Sequence, residues 1–190
     1  MKYRALVILG WLVAAGAQAT TIDFAEFGSE QGLGAIQSKG YTLTAVGTGN
    51  MPPDYAFFGS PTDTFYAYCP DCFMTLENTA GDPFSLFSVD LQMVPPSEEV
   101  TISITGILAG GGTISTSYTQ DPNVTGFTTV TFGSAWQNLS LDSVVFGTGF
   151  SPFGHALDNI VVSTVPVPAA VWMFGSALLG LAGWRRKRVS

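Results

Sequence analysis

Two cysteines, in the stretch Cys69-Pro-Asp-Cys72, have the spacing in this sequence that most directly suggests chemistry. Such a pair can form a redox motif, half of a zinc site or a local disulfide. Zinc lacks partners because the chain has no other cysteine and one histidine, His155, and a redox role needs a βαβ context that is not predicted here. Pro70 and Asp71 favour a type I turn with ends under about 7 Å apart, which overlaps the roughly 4.4–6.8 Å between the Cα atoms of a disulfide. We therefore expect a structural disulfide, with free thiols and redox catalysis as the alternatives.

Acid–base catalysis has few candidates. His155 is the only imidazole, and it follows Phe153-Gly154 directly before the last predicted strand with no nucleophile motif nearby. A glycosidase needs two carboxylates at a defined separation in space, and sequence spacing does not define that separation. We assign no catalytic residue, and a secreted polysaccharide-active hydrolase stays as the alternative to a non-enzymatic protein.

Aromatic residues are concentrated just before the cysteines. Sugars stack on exposed aromatic faces, whereas alternating aromatics in a β-sandwich commonly fill its core. Both interpretations stay open for this cluster, which consists of Tyr55, Phe57, Phe58, Phe65, Tyr66 and Tyr68.

Charge is unevenly distributed along the chain. All 14 acidic residues lie between Asp23 and Asp158, and Lys39 is the single basic residue between Thr20 and Thr164, so this region has a net charge of −13. Such a surface repels nucleic acid and anionic lipid. It is compatible with divalent cations or simply with solubility.

The N-terminal residues have the pattern of a cleavable signal peptide. A basic start, Met1-Lys-Tyr-Arg4, precedes an apolar run from Ala5 to Gly16, and Ala17-Gln18-Ala19 is the small-x-small site of signal peptidase. We expect residues 1–19 to be removed and the mature chain to begin at Thr20.

The C-terminal residues have the pattern of a membrane anchor. The 20 residues from Val165 to Trp184 contain no charge, and as a helix they would reach about 30 Å, the thickness of a bilayer core. We expect a transmembrane helix over about 168–184. The basic cluster that follows would stay in the cytoplasm; it consists of Arg185, Arg186, Lys187 and Arg188.

This tail resembles the PEP-CTERM sorting signal of Gram-negative bacteria. The residues that carry the resemblance are Val165-Pro-Val-Pro-Ala-Ala-Val-Trp172, Phe174-Gly-Ser176 and Leu178-Leu-Gly-Leu181. Val167 stands where the family's namesake has glutamate, so the match is to a variant. The resemblance, which covers about 26 residues (165–190), implies recognition by an exosortase, a membrane-embedded cysteine transpeptidase, and cleavage near Pro166 and Pro168. The mature domain would then pass to the cell surface or the extracellular polysaccharide matrix.

Short β-rich segments bounded by turn residues fill the region 20–164. They occur at Thr21–Phe27, Tyr41–Val46, Thr64–Tyr68, Phe73–Glu77, Phe84–Val94, Val100–Leu108, Thr113–Thr119, Thr128–Phe132, Leu139–Phe146 and Ala156–Ser163. No stretch has a sustained helical stripe. The expected fold is all-β, a single β-sandwich of the jelly-roll type.

The order of the segments is similar to that of the jelly rolls of carbohydrate-binding modules. The matching segments are Thr21-Ile-Asp-Phe24, Phe84-Ser-Leu-Phe-Ser-Val-Asp-Leu91 and Ala156-Leu-Asp-Asn-Ile-Val-Val162. The resemblance implies that the first and last strands pair and that acidic residues beside them hold a structural calcium ion. The loosely matching positions are Asp23 or Glu26 near the first strand and Asp158 in the last.

These observations lead to one hypothesis for the whole chain. We expect a non-enzymatic protein of the bacterial inner membrane with a periplasmic domain, sorted after processing to the surface or matrix, where it associates with exopolysaccharide. Its expected partners are the membrane, an exosortase-type enzyme and polysaccharide, with calcium as the possible cofactor and no nucleic acid. A membrane-retained periplasmic interaction module is a third possibility.

Overall fold

Alternation of apolar and hydroxyl residues produces the strands of this protein. In the stretch Val100–Leu108, Ile102 and Ile104 are buried whereas Thr101 and Ser103 are exposed. Successive side chains of a strand point to opposite faces, so this alternation gives the strand one face for the core and one for solvent.

The computed structural model describes residues 18–25, 35–47, 56–58, 65–67, 72–94, 99–148 and 154–164, and only the backbone at positions 46–47, 56–58, 65–67, 72, 93–94, 148 and 154. All of them belong to one compact unit, Gln18–Val165. The elements are β1 (Ala19–Ile22), β2 (Ala35–Ser38), β3 (Tyr41–Gly47), β4 (Ala56–Phe58), β5 (Phe65–Ala67), β6 (Cys72–Asn78), β7 (Phe84–Val94), β8 (Val100–Leu108), β9 (Thr113–Gln120), β10 (Thr128–Thr131), α1 (Ser134–Gln137), β11 (Leu141–Thr148) and β12 (Gly154–Thr164).

The strands form two antiparallel layers. Sheet I has the order β2-β3-β6-β11-β8-β9. Sheet II has the order β10-β7-β12, with β1 beside the C-terminal half of β12, β5 beside its N-terminal half, and β4 beyond β5. The single pair Leu141↔Phe84 joins the two layers.

A continuous hydrophobic core lies between the layers. Sheet I contributes buried residues such as Leu43 and Phe146, and sheet II contributes residues such as Leu91 and Val162. The rings of Tyr41 in β3 and Phe84 in β7 meet edge to face, with centroids 5.4 Å apart. The fold is therefore the all-β sandwich of jelly-roll type that the sequence predicts.

Most predicted strands lie where the sequence places them, and those at Phe84–Val94 and Val100–Leu108 have the predicted bounds. The first strand ends at Ile22 rather than at Phe27. Phe24 has φ 52°, a left-handed conformation that does not continue a strand. The short strands β2 and β4 and the four-residue helix α1 were not predicted.

Candidate functional site

The residues predicted to direct export and anchoring lie mostly outside the described part of the chain. Ala19 is the first residue of β1 and pairs with Ser163 of β12. The remaining residues are Ala17, Pro166, Pro168, Trp172, Arg185, Arg186, Lys187 and Arg188, and all of them fall outside the described ranges. Within those ranges, no helix has the length and apolarity needed to cross a bilayer. Export, processing and anchoring stay predictions.

The predicted disulfide is described only in part. Cys72 is the first residue of β6, and its backbone pairs with that of Gly47 in β3. Cys69 lies outside the described residues. The pairing of the two cysteines stays a prediction.

Two of the three predicted calcium ligands are described, and they lie on adjacent strands. The first and last strands do pair, with Ile22 opposite Ile160, so Asp23 follows β1 close to the level of Asp158. Lys39 Nζ lies 3.6 Å from Asp23 Oδ1. The described residues contain no group of three or more carboxylate, imidazole or thiol side chains suited to a metal, and Glu26 lies outside them. Calcium binding stays a prediction.

Asp158 belongs to a polar cluster on the outer face of sheet II. It is the direct cross-strand partner of Asp90 in β7, although like charges in that arrangement repel. Asn159 Nδ2 lies between the two carboxylates, 2.9 Å from Asp90 Oδ2 and 3.4 Å from Asp158 Oδ2. Thr129 Oγ1 donates a further hydrogen bond to Asp90 Oδ1. Through these hydrogen bonds, the carboxylate of Asp90 in β7 links the neighbouring strands β10 and β12.

The backbone explains why these groups meet. The β7–β12 register shifts twice, between Asp158 and Val161 and between Val161 and Val162, and Asn159 has φ 44°. Such bulges re-aim side chains and are over-represented next to functional sites. Here they turn the Asn159 amide toward both aspartates.

The outer face of sheet I has a different character, because its cross-strand rows are built mainly from hydroxyl and small side chains. Glu77 is the one ionisable residue in the three rows that follow. Their members are, in order from β2 or β3 outward, Gln37-Thr42-Glu77-Ser143-Ile107-Thr113, Ala35-Thr44-Thr75-Val145-Thr105-Ser115 and Val46-Phe73-Gly147-Ser103-Ser117. We call this surface the hydroxyl face.

Hydrogen bonds link hydroxyls across β8 and β9 on this face. Thr101 Oγ1 lies 2.8 Å from Thr119 Oγ1, and Thr105 Oγ1 lies 3.1 Å from Ser115 Oγ. Each hydroxyl is one donor and a double acceptor. These pairs therefore keep hydrogen-bonding capacity for a ligand.

Phe73 is the one aromatic residue in the three rows of the hydroxyl face. It is 36% exposed, which places it among the few exposed large hydrophobic residues of the described chain. Its cross-strand partner is Gly147, where an added Cβ would lie only 2.7 Å from Phe73 Cδ1 and Cε1 and 3.2 Å from Ser103 Oγ. The ring therefore lies over the glycine, close to the sheet, in a space that any other side chain at position 147 would fill.

His155 lies in β12 and is fully buried, not at a turn before the last strand. Neither ring nitrogen has a hydrogen-bond partner among the described residues. Burial lowers the pKa of His155 to about 4, because desolvation penalises the charged ring. The imidazole is therefore neutral at pH 7 and is enclosed by the fold.

For the aromatic cluster near the cysteines, the structure describes only the backbone of Phe57, Phe58, Phe65 and Tyr66, and Tyr55 and Tyr68 lie outside the described residues. Phe57 pairs with Tyr66, which in turn pairs with Ala156 of β12. Ala156 also pairs with Gln92. These positions form a row parallel to that of Asp158 and Asp90, whereas Phe58 and Phe65 belong to the row of the core residue Leu157. The core-filling and sugar-stacking interpretations of this cluster therefore both stay predictions.

Comparison with known proteins places the fold in a recognisable class. No family model and no curated protein matches the chain. Among solved structures, a family 29 carbohydrate-binding module has a TM-score of 0.53 and 15% sequence identity, over 78% of this chain and 90% of that one. An aspartate-to-alanine mutant from a study of ligand recognition in that family has a TM-score of 0.52 and 15% identity, over 78% and 92%. A further family 29 module, from Piromyces equi, has a TM-score of 0.50 and 12% identity, over 78% and 91%. At such identities the likeness shows a shared jelly-roll fold.

Sequence reasoning did not identify Phe73 or the hydroxyl face. The alternation of hydroxyls was visible in Val100–Leu108, and Phe73 begins a predicted strand. Which strands lie side by side, and hence that Phe73 faces Gly147, follows only from the topology.

Proposed function

We propose that this chain is an exported, membrane-anchored protein whose β-sandwich associates with exopolysaccharide at the cell surface or in the matrix, without catalysing a reaction. Export, anchoring and exosortase processing are supported by the signal-peptide and PEP-CTERM-like patterns. Polysaccharide association is supported by the fold, which the chain shares with carbohydrate-binding modules, and by the hydroxyl face. A structural calcium ion near Asp158 is part of the proposal.

The observation that carries the binding function is the partly exposed Phe73 ring over Gly147, in the same cross-strand row as the hydroxyls of Ser103 and Ser117. An aromatic ring offers an apolar surface to the C–H face of a sugar. The hydroxyls of Ser103 and Ser117, in the same row, donate and accept hydrogen bonds as sugar hydroxyls do. Apolar contact combined with a few placed polar groups is the usual composition of a ligand site.

Charge indicates a neutral ligand. The region 20–164 has a net charge of −13, which disfavours anionic polysaccharides at moderate salt. Glu77 is the one ionisable residue in the three rows, so the face has no cation to pair with uronate or sulfate groups. We therefore propose a neutral glycan.

The test compares binding of the full chain, purified in detergent, to neutral and anionic polysaccharides by affinity electrophoresis. We expect retardation by a neutral glycan, weakened about tenfold in Phe73→Ala, which corresponds to about 1.4 kcal/mol. Val124→Ala is the matched control, because Val124 is comparably exposed but lies in the loop after β9. Equal binding by Phe73→Ala and the wild type would reject this site.

The arrangement also fits the proposed anchoring. Ala19 and Ser163 are cross-strand partners at one end of sheet II, so the signal-peptide junction and the tail junction leave the domain together. A domain held by the tail would therefore keep its opposite end away from the membrane.

A polysaccharide hydrolase is the second candidate, and the opposed carboxylates of Asp90 and Asp158 favour it. Retaining glycosidases use two carboxyl groups about 5–5.5 Å apart. Here Asn159 and Thr129 occupy the carboxylate oxygens, which supports a structural role. Release of reducing ends from a bound glycan, abolished in Asp90→Asn, would establish the hydrolase instead.

A further inference from the structure

Strand β9 lies at one edge of sheet I and is exposed on both of its faces. Within the described residues it pairs only with β8, through eight consecutive residue pairs without a register shift. Side chains on both of its faces are exposed, including Ser115, Thr116 and Ser117. Among the described residues, no second strand lies opposite the outer backbone edge of residues 113–119.

The devices by which proteins usually protect an edge strand are missing from β9. Lysine, proline, bulges and inward-pointing charges normally prevent an edge from pairing with another chain. The strand Thr113–Gln120 has the sequence TISTSYTQ, which contains no charge and no proline, in a region with a net charge of −13. The lack of charge on this strand lets a second strand approach closely.

The sequence of β9 is also nearly symmetric about Thr116. Read in either direction from that residue, it has serine, then an apolar side chain, then threonine: Ser115, Ile114 and Thr113 on one side and Ser117, Tyr118 and Thr119 on the other. An antiparallel pair of identical strands centred on Thr116 would place Ser115 opposite Ser117, Ile114 opposite Tyr118 and Thr113 opposite Thr119. Pairs of this kind, hydroxyl with hydroxyl and aromatic with β-branched residue, stabilise sheets.

We propose that two copies of this chain pair through β9, antiparallel and centred on Thr116. Sheet I then continues across the pair as one sheet of twelve strands. The contact is isologous and closes after two copies. The hydroxyl pairs already present between β8 and β9 show the pattern that the β9–β9 pair repeats on the outer face. This proposal is independent of the proposed polysaccharide binding.

The physical setting explains when the pair forms. Ile114 and Tyr118 pack against the core but stay partly exposed, so pairing removes apolar surface from water. Each copy has a charge of −13 between residues 20 and 164, so repulsion opposes association at low ionic strength and salt screens it. One strand pair is a small interface, so the dimer should form mainly at high protein concentration.

The test introduces a charge at Thr116, the residue on which the proposed strand pair is centred. The full chain in detergent is compared with Thr116→Lys and Thr116→Glu by sedimentation, with the detergent contribution subtracted. We expect a dimer of the wild type that increases with protein concentration and with salt, monomers of each variant alone, and recovery of the dimer when the two variants are mixed. Ser103→Lys is the matched control. Ser103 is exposed, but its strand β8 has a neighbouring strand on each side, so this variant should leave the dimer intact.

A monomeric wild type at every concentration and salt would overturn the proposal. So would a dimer that persists in both Thr116 variants, because association would then occur through another part of the chain. Failure of the mixture to recover the dimer would exclude Thr116 as the centre. Phe73→Ala should lose polysaccharide binding but dimerise as the wild type does. The binding proposal and the dimer proposal can therefore be rejected independently of each other.

A second measurement does not depend on charge. In a Cys69→Ala/Cys72→Ala background, Thr116→Cys should form a disulfide-linked dimer under mild oxidation, because directly opposed residues of antiparallel strands have Cα atoms about 4.5–5.5 Å apart. Ser103→Cys in the same background should stay unlinked. Equal linking of the two variants would contradict the pairing of β9.

Discussion

At the scale of single residues, Gly147 determines where Phe73 lies. The ring occupies the space above the glycine, 2.7 Å from the position that a Cβ would take. Covering a strand glycine with an aromatic ring of the neighbouring strand is a recognised way of stabilising a sheet. In this protein it also leaves 36% of Phe73 exposed on a face of hydroxyl groups.

Gly147→Ala should therefore reduce binding without removing the aromatic residue. The new methyl group displaces the ring from the sheet, and we expect a loss of glycan affinity approaching the roughly tenfold loss in Phe73→Ala. The measurements are affinity electrophoresis and the melting temperature. Gly126→Ala is the control, because no atom lies within 4 Å of a Cβ at that position. Unchanged affinity of Gly147→Ala would show that the ring position does not matter.

His155 should make stability depend on pH. In the unfolded chain its pKa is about 6.5, and in the folded protein burial lowers it to about 4. The unfolded state therefore binds the proton first, so the free energy of unfolding is highest above pH 6.5 and falls as the pH is lowered toward 4, by about 3 kcal/mol at most.

The matched variant is His155→Phe, which keeps a ring and removes the titration. Urea unfolding between pH 7 and 5, where most carboxylates are still ionised, should show a decrease in stability for the wild type and a flatter dependence for the variant. Parallel pH profiles of the two proteins would exclude His155 as the cause.

At the scale of elements, Asn159 links the paired strands β7 and β12 through its side-chain amide. Asn159 has a left-handed backbone, and its amide lies between two carboxylates that would otherwise repel each other. This explains why Asp90 and Asp158 are tolerated as direct partners. The polar cluster of Asp90, Asp158 and Asn159 therefore has a structural role in the sheet.

Substitutions at Asn159 should separate the contribution of its amide hydrogen bonds to stability from that of its left-handed backbone. Asn159→Gly keeps the positive φ and loses the amide, which costs about 1 kcal/mol. Asn159→Ala adds the penalty of a left-handed Cβ and should cost roughly 1–2 kcal/mol more. Asn159→Asp places a third carboxylate in the cluster and should be the least stable. Equal unfolding free energies for the Gly and Ala variants would show that the backbone conformation is not strained.

Strand β1 bears on the predicted processing. Cleavage after Ala19 leaves Thr20, Thr21 and Ile22 paired with β12, so the strand survives removal of the signal peptide. We expect terminal sequencing of protein from its own host to find Thr20 first. An intact Met1 would contradict export through a cleaved signal peptide.

At the scale of the whole molecule, the net charge of −13 between residues 20 and 164 is the main electrostatic feature. Self-repulsion of this size lowers the stability of a compact state. Any cation relieves it by screening, whereas a bound calcium ion would act through particular carboxylates. The two effects can be separated by experiment.

Calcium should raise the melting temperature by more than magnesium or sodium at equal ionic strength. A folded-state site stabilises by RT ln(1 + [L]/Kd), about 2.7 kcal/mol at a hundredfold excess of calcium over Kd. Asp23→Asn is the informative variant, because Asp158 also hydrogen-bonds to Asn159. Equal shifts with all three salts would mean screening alone and would remove calcium from the proposal.

The sequence by itself determined the fold class of this protein, because strand periodicity is local. The runs Val100–Leu108 and Phe84–Val94 were sufficient to place two long strands, and the alternation in the first also indicated the face that it buries. The short elements β2, β4 and α1 escaped detection, because three or four residues are too few to show a period. The patterns at the two ends of the chain likewise support export and anchoring from the sequence alone.

Only the tertiary structure decided which residues meet. Phe73 and Gly147 are 74 positions apart, and Asp90 and Asp158 are 68 apart, yet each pair is directly cross-strand. Register brings them together, and register depends on bulges and on the packing of both sheets rather than on any local signal. The same reason makes β9 an edge strand among the described residues: its position at the end of sheet I follows from the topology and not from its own sequence.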